Sequence, residues 1–264
     1  MVIRLSRRVK SAQIELYRRQ RLSWLRTGNE TLDQLLGGGV QPEVIHVFYG
    51  APHATTRLLQ RLAVLAQLPK PDGGLNADRV VYVDAENSFD PYALSQLAIE
   101  RHLDPRKALQ RITLARAFSW EQLVELVAEK LATPGGGDGA ALVCIAGITS
   151  MLVPTEARHY QQLLHVIAGI KRLIARQEGQ VTVVASTRLH PHSAYRPLGG
   201  NILCHFASIL VRVVDHPKLV EYILERHPSR PPQRVLDFKP AQRRGPAKVR
   251  PLDHFFQVPP GGFL

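Results

Sequence analysis

Three apolar segments of the sequence end at residues that bear on the binding of a charged ligand. The first runs into Gly50 and is followed by the cation Arg57. The second ends at Asp84 and continues with a further carboxylate at Glu86. The third ends at Ala146, which offers no polar group. Glycine and cations suit phosphate groups, and carboxylates suit magnesium or a water molecule, so these three ends are compared first.

The elements that carry these ends alternate between strand and helix patterns. Apolar strand runs are predicted at 44–49, 80–84, 112–114, 141–145 and 181–185, and helical spacing at 30–36, 57–67, 91–101, 120–131 and 160–177. Such alternation predicts an α/β fold with a mostly parallel sheet flanked by helices, whose ligands lie at the carboxyl ends of the strands. The runs 209–214 and 219–225 flank Asp215-His216-Pro217-Lys218 and predict a C-terminal antiparallel hairpin.

The net charge of +12, from 34 basic and 22 acidic residues, lies mostly at the two ends of the chain. Residues 1–21 predict a basic N-terminal helix, 22–238 the core, and 239–264 a basic tail rich in proline and glycine. The cations in these arms are Arg4, Arg7, Arg8, Lys10, Arg18, Arg19 and Arg21, then Lys239, Arg243, Arg244, Lys248 and Arg250. Such arms suit a polyanion such as nucleic acid, although they could also serve solubility alone.

Composition excludes several classes of protein. A hydrophobic content of 45% with 21% charged residues argues against wholesale disorder. No apolar run is long enough to span a bilayer, so we expect no membrane partner. The two cysteines, Cys144 and Cys204, lie in apolar runs and are too few for a disulfide scaffold. We therefore expect a cytoplasmic protein, associated with the nucleoid if it binds DNA.

Several motifs, taken together, resemble the ATPase core of the RecA/RadA recombinases. They are Thr27-Gly28, Leu36-Gly37-Gly38-Gly39-Val40, Tyr82-Val83-Asp84-Ala85-Glu86-Asn87, Ala115-Arg116-Ala117-Phe118, Pro197-Leu198-Gly199-Gly200-Asn201 and Arg226-His227-Pro228. They follow the family's order over residues 22–238. The resemblance implies a RecA-like P-loop ATPase fold, closest to archaeal RadA and to its core-only paralogues such as RadB.

The phosphate-binding loop departs from that resemblance. A P-loop uses glycines to wrap phosphates, a lysine for their charge and a hydroxyl for magnesium. The matching stretch is Gly50-Ala51-Pro52-His53-Ala54-Thr55-Thr56-Arg57. Only Gly50 keeps its type. His53 and Thr55 stand at glycine places, Thr56 at the lysine, and Arg57 at the magnesium hydroxyl. This Walker A motif is therefore degenerate.

The remaining nucleotide positions are mixed. Family members carry a magnesium carboxylate where this chain has Ala146, so the Walker B motif is degenerate as well. Ser186-Thr187 stands at the polar pair that senses the γ-phosphate, which is another departure. Glu86 matches the carboxylate that polarises the attacking water, but without a P-loop it could be a retained turn residue. We therefore expect neither ATP nor magnesium as a cofactor, no metal, and no catalytic residue beyond a vestigial Glu86.

Two loops bind DNA in the resembling family. The first would lie near 153–159, where Arg158 is the only cation. The second would run from Arg188 to Arg196 and includes Tyr195, so it could bind phosphates and stack on a base. An ordinary surface loop explains the same residues about equally well.

Three functions stay open from the sequence. The first is a non-catalytic RecA/RadA-like paralogue that binds single- or double-stranded DNA as an accessory factor in homologous recombination or repair. The second is a divergent DNA-dependent ATPase that uses Arg57 and Glu86. The third is a regulatory subunit without DNA affinity that docks on a partner. A recombinase of the RadA/RecA type or another paralogue is the expected protein partner.

Overall fold

A computed structural model describes residues 23–178 and 180–239. It contains one eight-stranded sheet in the order β3-β2-β4-β5-β1-β6-β7-β8. The strands are β1 (Ile45–Gly50), β2 (Val80–Asp84), β3 (Ile112–Arg116), β4 (Leu142–Ala146), β5 (Thr182–Arg188), β6 (Ile209–Asp215), β7 (Leu219–Arg226) and β8 (Gln233–Phe238). Strands β1 to β6 pair in parallel, whereas β6, β7 and β8 pair antiparallel. The predicted α/β fold and its C-terminal hairpin are confirmed.

The first helix precedes β1, and the others lie in the connections between the parallel strands. The helices are α1 (Glu30–Leu36), α2 (Pro52–Leu65), α3 (Pro91–Glu100), α4 (Pro105–Gln110), α5 (Trp120–Val124), α6 (Ala157–Arg176) and α7 (Gly200–Phe206). A π-helical turn, Glu125–Lys130, continues α5, and a 3-10 turn covers Lys70–Asp72. Asn29 caps α1 by accepting from the Leu32 amide, and Gly37 ends it at φ 85°. This start and stop agree with the sequence pattern.

The core lies on both faces of the sheet. One hydrophobic cluster packs α1, α2 and α3 against one face, and the other packs α5, α6 and α7 against the opposite face. Alternate residues of β1 therefore enter different clusters, with Phe48 in the first and Tyr49 in the second. Burial on both faces explains why the central strands are continuous apolar runs.

The parallel register brings the predicted ligand ends together. Gly50 of β1 pairs with Arg188 of β5, and Asp84 of β2 pairs with Ala146 of β4. Because β4 also pairs with β5, the ends of β2, β4, β5 and β1 follow one another along one edge. We call this the carboxyl edge. It carries the residues whose chemistry the sequence singled out.

Some sequence predictions are wrong in detail. The helix expected at 57–67 begins at Pro52, so most of the expected phosphate loop is helical. The short helices α4 and α7 were not predicted, although Asp104 and Pro105 are a cap and a first-turn proline. The predicted N-terminal helix at 1–21 and almost all of the tail at 239–264 lie outside the described residues.

Candidate functional site

The junction between β1 and α2 leaves little room for a phosphate loop. Only Ala51 separates Gly50 from the first helical residue, Pro52. Gly50 has φ +120°, and a Cβ placed there would lie 2.3 Å from the carbonyl oxygen of Val213 in β6. The glycine is thus required by the close approach of two strands. The presence of glycine at position 50 is thus explained without a bound phosphate.

The polar side chains of this junction either form hydrogen bonds to the backbone or are not of the types that a P-loop uses. The Thr55 amide donates to the Ala51 carbonyl at 3.1 Å, and its hydroxyl lies 3.0 Å from the Pro52 carbonyl. Pro52 has no amide to donate. His53 and Arg57 are exposed, Thr56 is partly buried, and no lysine stands among residues 50–57. These groups do not match the donor set by which P-loops hold a magnesium nucleotide.

Glu86 is closed off by an ion pair. Its carboxylate Oε1 lies 3.0 Å from Nε of Arg188, with the Glu86 side chain 6% exposed and that of Arg188 52% exposed. Gly147 lies directly beside it, since a Cβ at that glycine would fall 2.4 Å from Glu86 Cγ. Arg188, which the sequence predicted to contact DNA, therefore forms an ion pair inside the protein. Its partner, Glu86, is the carboxylate that would polarise a water molecule in an active ATPase.

The neighbouring polar residues of the carboxyl edge also serve internal contacts. Asp84 accepts hydrogen bonds from the amides of Glu86, Ser88 and Phe89 and so fixes the turn after β2. Ser186 Oγ accepts from the Gly147 amide at 3.0 Å. The hydroxyls of Thr187 and Thr149 bond to each other, and Thr149 donates to the Leu198 carbonyl at 2.9 Å.

Ala146 is fully buried at the end of β4 and offers no oxygen from its side chain. Ala146, at the position that would bind magnesium, thus lacks a ligand atom. Ser186 and Thr187, at the positions that would sense a γ-phosphate, use their hydroxyls in hydrogen bonds to the loop after β4. Across the described residues, no cluster of histidine, cysteine or carboxylate groups could hold a metal ion.

The loop after β5 has a defined shape and a cleft beside it. Leu189 and Pro197 pair across its base, and Ser193 Oγ accepts from the amides of Tyr195 and Arg196. We call residues 188–197 the β5 loop. The cleft has a volume of about 540 Å³ and is lined by the β5 loop, the first turn of α6 and the start of α7. Its polar lining includes Tyr160, His190, His192, Arg196 and Asn201.

The charge of this cleft suits an anion. None of the described residues that line it is acidic, and Arg196 is exposed at its rim. The two rings of His190 and His192 lie 5.8 Å apart between centroids. The cleft includes part of the predicted second DNA loop and Tyr160, which directly follows the predicted first loop at 153–159.

Tyr195 stands beside the cleft with its side chain in water. It is 69% exposed, and the Arg212 guanidinium carbon lies 5.0 Å from its ring centroid. Arg212 Nε lies 3.1 Å from Glu225 Oε1, and the Tyr49 hydroxyl lies 2.7 Å from both Glu225 Oε2 and the Tyr195 carbonyl. Burial and the neighbouring Glu225 carboxylate raise the pKa of Tyr49 far above its usual range. Sequence reasoning missed Tyr49, Arg212 and Glu225.

The other predicted DNA residues are spread more widely. Arg158 is exposed in the first turn of α6. Lys239 is engaged at the hairpin, where its Nζ lies 2.5 Å from Asp215 Oδ1 and 2.8 Å from the His216 carbonyl. Outside the described residues lie Arg4, Arg7, Arg8, Lys10, Arg18, Arg19, Arg21, Arg243, Arg244, Lys248 and Arg250.

Comparison with known protein families identifies the family of this chain. The Rad51 family model matches residues 18–153, which contain the first four strands. The chain belongs to the Rad51 family. The matched segment includes Gly50, Asp84 and Ala146, which end three of the strands at the carboxyl edge. Within the described part of the chain, no helix has the length and apolar character to cross a membrane.

Proposed function

We propose that this Rad51-family protein is a non-catalytic RecA/RadA-like paralogue that binds DNA as an accessory factor in recombination or repair. It resembles RadA and its core-only paralogues such as RadB, and it departs from that resemblance in its degenerate Walker A and B positions. The observation that carries the proposal is the contrast within one edge. The Glu86 carboxylate is closed by Arg188, while Arg196 and Tyr195 of the same loop remain exposed beside a cleft without acidic lining.

The same residues support the proposed lack of ATP hydrolysis. Family hydrolysis needs a lysine and a hydroxyl at the phosphates, a magnesium carboxylate and a free water-polarising carboxylate. The chain offers Thr56, Arg57 and Ala146 at the first three positions. Glu86 is 6% exposed and paired, so it is not available to orient a water molecule without first losing Arg188.

The charge and shape of the cleft support the proposed DNA binding. Arg196 supplies a cation at the cleft, Arg158 supplies a further exposed cation in the first turn of α6, and Tyr195 supplies an exposed ring. Phosphate contacts made by such cations give affinity that falls with salt and does not depend on sequence. The basic arms would add to this term. A recombinase of the same family is the proposed protein partner.

The test is fluorescence anisotropy with single- and double-stranded oligonucleotides over a salt titration, with and without magnesium and ATP. We expect steeply salt-dependent binding that magnesium and ATP leave unchanged. A thermal unfolding scan in the presence of magnesium and ATP should show no shift in Tm. Binding that requires ATP, or a clear rise in Tm with it, would contradict the proposal. Failure to bind any DNA would contradict its DNA-binding part.

A further inference from the structure

Tyr195 is exposed, yet it is firmly held from below. The Arg212 guanidinium covers one face of its ring at 5.0 Å, which is within the range of a cation–π contact. Glu225 holds that guanidinium from the neighbouring strand, with Arg212 Nε 3.1 Å from Oε1. The Arg212 side chain is 17% exposed and that of Glu225 28% exposed, so the support is largely shielded from solvent.

A second contact fixes the main chain of the same residue. The hydroxyl of Tyr49, whose side chain is fully buried in β1, lies 2.7 Å from the Tyr195 carbonyl. It lies at the same distance from Glu225 Oε2, so its one proton is shared between two acceptors. Glu225 thus anchors both the cation under the ring and the hydroxyl at the backbone. We call Tyr49, Arg212 and Glu225 the clamp.

A comparison within the chain shows that this support is not a general feature of exposed rings. Tyr92, in the first turn of α3, is 64% exposed, and among the described residues no cation stacks on its ring. The clamp instead draws on β1, β6 and β7 to hold a ring that is directed into water. An aromatic face kept open and immobile loses little entropy on stacking, which favours a planar ligand.

We propose that Tyr49, Arg212 and Glu225 are positioning residues that present Tyr195 as a ready-made stacking surface for an unpaired base, with no bound nucleotide needed to order the β5 loop. This inference rests on the proposed function, because DNA is the ligand. It adds that contacts within the protein order the β5 loop, so that no bound nucleotide is needed to order it. Arg188 contributes at the base of the loop through Glu86, and the clamp acts near its tip.

The experiment uses the full chain and two readouts. The first is the fluorescence of 2-aminopurine in a single-stranded oligonucleotide, which changes when the base stacks. The second is amide hydrogen exchange in residues 189–198, measured without DNA or nucleotide. The variants are Tyr195→Ala, which removes the ring, Tyr49→Phe, which removes one hydroxyl, and Arg212→Met, which keeps the length of the side chain without its charge. Tyr92→Ala is the matched control.

We expect Tyr195→Ala to abolish the 2-aminopurine change and to weaken single-strand affinity about tenfold. Tyr49→Phe and Arg212→Met should each reduce the change and speed amide exchange in the loop roughly threefold to tenfold. Tyr92→Ala should alter neither readout. Magnesium and ATP should leave loop exchange in the wild-type protein as it was.

The two proposals fail in different ways. If no oligonucleotide binds, the proposed function fails, while the exchange data still report whether the clamp holds the loop. If DNA binds but Tyr49→Phe and Arg212→Met keep wild-type exchange and fluorescence, the clamp is overturned. Protection of the loop that appears only after magnesium and ATP are added would overturn its independence from nucleotide.

Discussion

The carboxyl ends of β1 and β5 are neighbours in the sheet, yet the chain continues differently after each of them. Gly50 and Arg188 face each other across the register. After Gly50 the chain enters α2 almost at once, and its polar groups satisfy the backbone. After Arg188 the chain makes a loop that leaves Tyr195 and Arg196 exposed. Neighbouring strand ends on one edge therefore differ in which polar groups they leave exposed to a ligand.

The two regions are nevertheless connected by internal contacts. Arg188 reaches from the end of β5 to Glu86 after β2, and Ser186 holds Gly147 after β4. The polar side chains at these strand ends thus contact one another, whereas Tyr195 and Arg196 of the β5 loop remain exposed.

The largest expected effect is that of a methyl group at the end of β1. Gly50→Ala would place a Cβ 2.3 Å from the Val213 carbonyl at a φ of +120°. We expect the free energy of unfolding in urea to fall by about 3 kcal/mol. Gly135→Ala is the control, because Gly135 also has positive φ (+88°) but a Cβ there meets nothing within 4 Å. Its cost should be about 1 kcal/mol.

Equal losses in these two variants would mean that the approach of β1 to β6 is not what requires Gly50. The glycine would then be explained only by its backbone conformation, and the structural account of the junction would be wrong.

A smaller effect is expected from breaking the ion pair between the regions. Arg188→Met leaves the Glu86 carboxylate, 6% exposed, without its cation, but Arg188 itself is half in solvent. We expect a loss of about 1 kcal/mol in unfolding free energy. Adding Glu86→Gln should cost less than the sum of the two single variants, with a coupling of roughly 0.5 to 1 kcal/mol.

A matched pair serves as the control for that cycle. Arg111 and Asp78 lie 3.2 Å apart with 40% and 89% of their side chains exposed. Their coupling should be near zero, because solvent screens an exposed pair. A Glu86–Arg188 coupling that is no larger would remove the argument that this pair closes the site.

The sequence predicts those strands and turns of the two regions that depend on local residue patterns. β2 was predicted at its observed bounds, and the turn after Asp84 was recognised as polar. The hairpin of β6 and β7 was also correct, because apolar runs flanking a Pro-containing turn fix it locally. The start of α2 was missed, although Pro52 at a first helical position is a local signal for it. The family spacing of a phosphate loop took precedence over that signal.

Pairs distant in the sequence could not be predicted. Glu86 and Arg188 are 102 positions apart, and Tyr49 lies 176 positions from Glu225. Their contact depends on the register of three or more strands, which no single-strand pattern specifies. The cleft and the clamp are built from such pairs, so the sequence predicted Tyr195 and Arg196 as DNA residues without the groups that position them.

The cleft itself is tested by Arg196→Gln, which removes a cation from its rim. We expect DNA affinity to fall about threefold, and the slope of its salt dependence to fall by about one. Arg101→Gln, at an exposed position at the end of α3, is the control and should change neither quantity. An unchanged salt slope in Arg196→Gln would show that this arginine does not contact a phosphate.

The smallest effect is expected from Arg57→Gln at the first region. Arg57 is exposed in α2 and does not line the cleft, so DNA affinity should change by less than about twofold. A loss as large as that of Arg196→Gln would mean that both strand ends meet DNA, and the comparison would have to be redrawn. If the wild-type Tm rose with magnesium and ATP and this variant lost the rise, Arg57 would be a nucleotide ligand. That result would favour a divergent ATPase, because the charge at this position would then replace the missing lysine.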